Sequence, residues 1–131
     1  MKNLILPCEV GVRTVLPAVK AIMARQIVEK HGLNEQETAE LLGVSQSAVS
    51  RYRSRERGNL MSIENSAEIL ALIDQMTIFL IKEPENKEDF LELFCKTCQT
   101  IRASGLMCPF CQKEMPSEWA ENCVFCRSTL Y

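Results

Sequence analysis

The stretch from Asn34 to Ser54, NEQETAELLGVSQSAVSRYRS, leaves the backbone few choices. Asn34 is suited to cap a helix N-terminus, and Glu37 three residues on completes the reciprocal pattern of a capping box. The helix it starts places Ala39, Leu41 and Leu42 inward and meets Gly43, which reaches positive φ without steric cost. Val44 follows as an apolar plug between helices. Ser45 can cap a second helix, with Ala48, Val49 and Tyr52 on its inner side. Ala39 is small, as a close helix crossing requires. Gln46, Ser47, Ser50, Arg51 and Ser54 then fall on the outer face of the second helix.

This arrangement resembles the helix-turn-helix of phage-repressor-like regulators, with Ala39, Gly43 and Val49 at that motif's small, turn and core positions. The resemblance covers about twenty residues. It implies DNA binding through the outer face of the second helix, whose side chains would reach base edges in the major groove. The charge distribution agrees locally. The whole chain carries −2, yet residues 1–60 hold nine Lys and Arg against six Asp and Glu, while residues 61–131 hold six against eleven. Arg51, Arg53, Arg55 and Arg57 make a basic run over the end of the second helix and beyond, suited to phosphates. The DNA-binding set expected is Gln46, Ser47, Ser50, Arg51, Arg53, Ser54, Arg55 and Arg57.

Around this segment the periodicity predicts an all-α chain. Residues 1–12 read as apolar and irregular. A helix is expected from Leu16 to His31, with Pro17 in its first turn, Gly32 at its end, and Val19, Ile22, Met23, Ile27 and Val28 on one stripe. It should roof the two short helices. His31 fits a place beside the helix C-terminus better than a ligand role. Another helix is expected over Ile63 to Ile81; its apolar set is too wide for one stripe, which calls for a second burial partner, either the next helix or another subunit. Asn86 should cap a last long helix ending near Ser104, and helical period is lost from Leu106 onward. The division expected is 1–60 for the helix-turn-helix domain, 61–86 for a core or dimerisation helix and linker, and 87–131 for a cysteine-rich metal-binding region.

Seven cysteines dominate the rest of the chemistry, six of them in three CxxC pairs within 32 residues: Cys95–Cys98, Cys108–Cys111 and Cys123–Cys126. No run reaches 18 apolar residues, and the N-terminus lacks the pattern of a secretory signal. The expected setting is therefore the reducing cytoplasm, with no membrane association, where such pairs indicate metal ligation before disulfides. Two residues between thiolates let both sulfurs reach one ion, and two pairs complete the tetrahedral set zinc prefers. A four-cysteine iron–sulfur cluster is equally compatible. Cys95 and Cys98 lie on one face of the predicted helix, and they could combine with Cys108 and Cys111 or with Cys8. Cys8 could also be a small buried apolar residue. The run CPFCQKEMPSEWAENCVFCRSTL resembles a short zinc ribbon, although Gln112 and Arg127 stand where knuckles usually carry glycine. That resemblance implies one Zn²⁺ shared by Cys108, Cys111, Cys123 and Cys126.

As a whole the chain resembles a group of archaeal and bacterial regulators with a Pro-Cys-Glu segment (Pro7-Cys8-Glu9), a Leu-Pro helix start (Leu16-Pro17), a helix-turn-helix and a cysteine-rich tail. The resemblance implies a transcription regulator that binds double-stranded DNA. One motif copy offers few base contacts, so a homodimer is expected, with the 63–81 helix as its seam. A metal or redox sensor built on the tail, and an adaptor that binds protein through it, are the other readings. No phosphate-cradling glycine loop and no nucleophile paired with a histidine points to an enzyme. Operator, sign of regulation and effector have no sequence signature.

Overall fold

The computed structural model describes residues 5–54, 63, 65–114, 123 and 126. These are all-α: seven helices, with no strand among the described residues. They are α1 (Pro7–Arg13), α2 (Val15–Glu29), α3 (Glu35–Leu42), α4 (Gln46–Arg53), α5 (Ala67–Lys82), α6 (Lys87–Ala103) and α7 (Cys108–Glu114). None is long and apolar enough to cross a membrane.

Helix α2 is the axis of the molecule, touching α1, α3, α4, α5 and α6. Every residue from Ala21 to Ile27 is buried, so α2 has no solvent face along this stretch. Its large residues, Val15, Val19, Ile22 and Met23, point into a core shared with Ile69, Ile73, Met76 and Leu80 of α5, Ile101 of α6 and Met107. Its alanines do something the apolar stripe did not show: Ala21 and Ala24 form a second, shallow face against Ala39, Ala48, Val49 and Tyr52. Small residues on both sides bring α3 and α4 close to the axis. The expected roof over the two short helices is thus the alanine side of a helix buried on all sides.

The wide apolar set of the 63–81 region is met largely inside the chain. Ser66, not Ile63, opens α5, its Oγ accepting from the Ile69 N–H at 3.3 Å; Ile63 lies before the helix and is still fully buried. Ile69, Ile73, Met76, Thr77 and Leu80 face inward at helical spacing, and α6 packs along α5 as the second leg of a hairpin. Asn86 caps α6 as expected, accepting from the Asp89 N–H at 3.3 Å. Of the surplus that suggested a second burial partner, Leu70 packs at the core's edge, Leu72, Phe79 and Ile81 are half-buried, and Ile78 is exposed at 41%.

Two expected irregular segments are helical. Residues 7–13 form α1, where Pro7 occupies the first turn and loses no hydrogen bond by lacking an N–H. Residues 108–114 form α7, whose hydrogen bonds begin at the Gly105 carbonyl. Arg13 and Glu114 join the two helices at 2.7 Å, an exposed pair that positions more than it stabilises. Both helices are only seven residues long, too short for periodicity to show. Their stability comes from tertiary contacts, Val10 of α1 lying in the main core and Phe110 and Cys111 of α7 packing at its margin.

Buried polar groups are satisfied. Arg25, 8% exposed, reaches from α2 to donate to the Tyr52 carbonyl at 2.9 Å, at the end of α4. Thr77 Oγ1 lies 2.9 Å from the side-chain oxygen of Gln26 and 2.8 Å from the Ile73 carbonyl, tying α5 to α2. Among the described residues no buried side-chain nitrogen or oxygen lacks a partner.

Candidate nucleic-acid interface and cysteine centre

The α3–α4 pair is built as its residues dictate. Asn34 Oδ1 accepts from the Glu37 N–H at 2.8 Å, and Glu37 Oε1 accepts from the Asn34 N–H at 3.1 Å, closing the capping box. Gly43 ends α3 at φ 68°, ψ 35°, and the Val44 N–H turns back to the Ala39 carbonyl at 3.1 Å. A side chain at Gly43 would meet no neighbour but would be held in the left-handed region, at a cost of about 1–2 kcal/mol. Ser45 Oγ accepts from the Ala48 N–H at 3.1 Å and starts α4. Ala48, Val49 and Tyr52 are buried against α2 and α3, with Val44 packed beside them. Leu41 and Leu42, expected inside, are half-buried at the core's edge.

The opposite side of α4 is open. Gln46, Ser47, Ser50, Arg51, Arg53 and Ser54 are all exposed. Not all are equally available. Arg53 Nη1 sits 2.9 Å from Glu35 Oε2, an ion pair that braces α4 to the start of α3, so a phosphate must compete with Glu35 for it. Ser54 is the C-terminal cap residue and its hydroxyl donates to the Arg51 carbonyl at 3.1 Å. Gln46, Ser47, Ser50 and Arg51 remain as the outward polar set. Arg55 and Arg57 lie outside the described residues. Arg25 was not singled out by sequence, since one arginine among buried neighbours has no distinctive spacing; it anchors the far end of α4.

The cysteines fall into two groups. Cys95 and Cys98 share one face of α6, Cys98 being partly buried against the core. Burial pushes the Cys98 thiol up to about 11, with Cys95 adding to the rise and Arg102 opposing it. The second group forms around α7. The Cys111 thiol is also pushed up to about 11, first by burial, then by Cys126, Cys108 and Cys123, again opposed by Arg102. The last two pairs are thus electrostatic neighbours of one another. Arg102 Nε donates to Cys126 Sγ at 3.3 Å and holds that sulfur over α6. Cys108 and Cys111 lie on a helix rather than on the knuckle that a zinc ribbon would place there. Among the described residues no three ligating side chains converge on one point, so metal uptake requires these sulfurs to close in.

A thiol with a raised pKa keeps its proton at neutral pH, and an incoming metal must expel it. If these thiols take up zinc, its affinity should strengthen as pH rises from about 6 to 8, with protons released on binding. Calorimetry in buffers of different ionisation enthalpy measures both; an affinity flat with pH would remove the thiols as ligands. His31, at the end of α2 beside Gly32 (φ 73°), is exposed and distant in sequence from every cysteine pair.

No protein-family model, curated protein or solved structure matches this chain, so the geometry of its own residues carries the functional reading.

Proposed function

We propose that the chain is a sequence-specific DNA-binding transcription regulator, with α3 and α4 acting as a helix-turn-helix and Cys108, Cys111, Cys123 and Cys126 as the donors of a tail metal site. One observation carries the first part: α4 is fixed on its inner side by Ala48, Val49 and Tyr52 while Gln46, Ser47, Ser50 and Arg51 stand together on the outer side. Arginine can take the O6 and N7 of guanine together, glutamine can pair with adenine, and serine serves either. Four thiolates form the tetrahedral soft-donor set that suits Zn²⁺, and an iron–sulfur cluster would use the same donors. The metal, once bound, supplies folding energy to the tail; no catalytic step is implied. A homodimer, placing two α4 helices about 34 Å apart on successive major grooves, would give the contacts one copy lacks.

The test is selection of duplexes from a randomised pool by the full-length protein, followed by mobility-shift titration at several salt concentrations. A selected site should bind at least about a thousandfold more tightly than a scrambled one. Arg51→Ala should then cost about 1–3 kcal/mol on the selected site and less on scrambled DNA. Equal losses on both would make Arg51 a phosphate contact. No enrichment from the pool would overturn the DNA reading and leave the adaptor reading, in which the tail binds protein.

A further inference from the structure

The end of α6 sets a cation against the last cysteine pair. Arg102 stands in the final turn of α6, directly after the fully buried Ile101, so its backbone is anchored in the core. Its Nε donates to Cys126 Sγ at 3.3 Å in a part-buried setting. From the same helix end the chain turns at Gly105 (φ 86°) into α7, which carries Cys108 and Cys111. Cys111 and Cys126 both pack at the margin of the main core. The charge of Arg102 also reaches Cys111, whose thiol it draws down against burial. Cys8, exposed on α1, is not one of the proposed donors.

We propose that Arg102 is the positioning residue of the tail metal centre, holding the Cys126 sulfur near the α7 cysteines before an ion arrives and offsetting thiolate charge afterwards. The proposal rests on the four-cysteine reading of the tail. Cys111 and Cys126 are separated by fourteen residues, so bringing the two pairs together closes a loop at an entropic cost. A sulfur already bound to α6 has less of that freedom to lose. Binding then exchanges four thiol protons for one Zn²⁺ and leaves the ion and its four sulfurs with a net charge of −2. A guanidinium N–H on a thiolate is a charge-assisted hydrogen bond, stronger than the same contact to a thiol. Arg102 therefore favours the loaded state over the empty one. Groups that hydrogen-bond the ligands of a metal are typically worth about 10–100-fold in affinity.

The experiment measures zinc affinity of the full-length protein at neutral pH against a chromogenic chelator. Iodoacetamide labelling of each cysteine in the zinc-loaded protein is then mapped by peptide mass spectrometry. Arg102→Gln should weaken zinc binding about 10–100-fold with helical circular dichroism unchanged. Arg102→Lys keeps the charge without the fixed fork and should fall between that variant and the unmodified chain. In loaded Arg102→Gln, labelling should rise most at Cys126, whose thiolate has lost a donor, whereas a general loosening would raise all four together. Should the glutamine variant lose helix content, Arg102→Lys decides through the same labelling pattern. Zinc held as tightly by Arg102→Gln as by the unmodified chain, or labelling that rises evenly over the four cysteines, overturns the role of Arg102 and leaves the tail site standing. An unmodified chain that takes no zinc removes the tail site, and the role of Arg102 with it.

Discussion

Ile73→Ala should lower the stability of the protein by about 2–5 kcal/mol, a large part of the roughly 5–15 kcal/mol typical of a domain. Ile73 is fully buried in the cluster joining α1, α2, α5, α6 and Met107. Removing its outer methyl groups leaves a cavity between elements from both ends of the chain. Urea unfolding followed by circular dichroism should show one transition moved to lower denaturant. The DNA affinity proposed for α4, measured below that transition, should change little, since Ile73 is not in the Ala21–Tyr52 cluster that seats α4. A loss under about 1 kcal/mol would contradict the shared core. Two separate transitions would mean that α5–α6 and α2–α4 fold independently.

On the proposed tail site, Cys111→Ser should abolish metal binding. Structural zinc contributes about 10–16 kcal/mol of apparent binding energy in small zinc domains, so losing one of four thiolates lowers affinity by orders of magnitude. Cys123→Ser should do the same, whereas Cys95→Ser should leave the tail metal bound, because the proposed donors are Cys108, Cys111, Cys123 and Cys126. Metal content by mass spectrometry of the intact protein, with helix content followed in parallel, separates these cases. Helices α1 to α6 should persist in all three variants, since their core does not depend on the cysteine sulfurs closing on an ion. If Cys95→Ser loses the ion and Cys123→Ser keeps it, the ligands are Cys95, Cys98, Cys108 and Cys111 instead.

The residues around Gly43 were the most legible part of the chain because each acts locally. Asn34, Glu37, Gly43 and Ser45 make hydrogen bonds or backbone angles within four residues of themselves, and all take the roles their identities predict. Asn86 is legible for the same reason. Helices α1 and α7 were hidden because their order depends on contacts across the chain, Val10 with the core and Arg13 with Glu114. The alanine face of α2 was hidden differently: Ala21 and Ala24 add little hydrophobicity to a periodic pattern, yet decide how closely α3 and α4 approach. In the candidate site, the outward position of Gln46, Ser47, Ser50 and Arg51 followed from helical spacing. The pairing of Arg53 with Glu35 did not, since an ion pair 18 residues apart depends on the angle between two helices.

The meeting of α1 with α7 has a consequence for the order of events during synthesis. Gly11 has no side chain where Met107 packs: a Cβ there would lie 3.7 Å from the Met107 sulfur, and Met107 is itself buried. Helix α1 leaves the ribosome first and can settle on α2, but this side of it stays uncovered until Met107 has been made. At about 5–20 residues per second, that interval is roughly 5–20 seconds for the nearly one hundred intervening residues. The nascent chain therefore presents this side of α1 to solvent and chaperones until Met107 has been made.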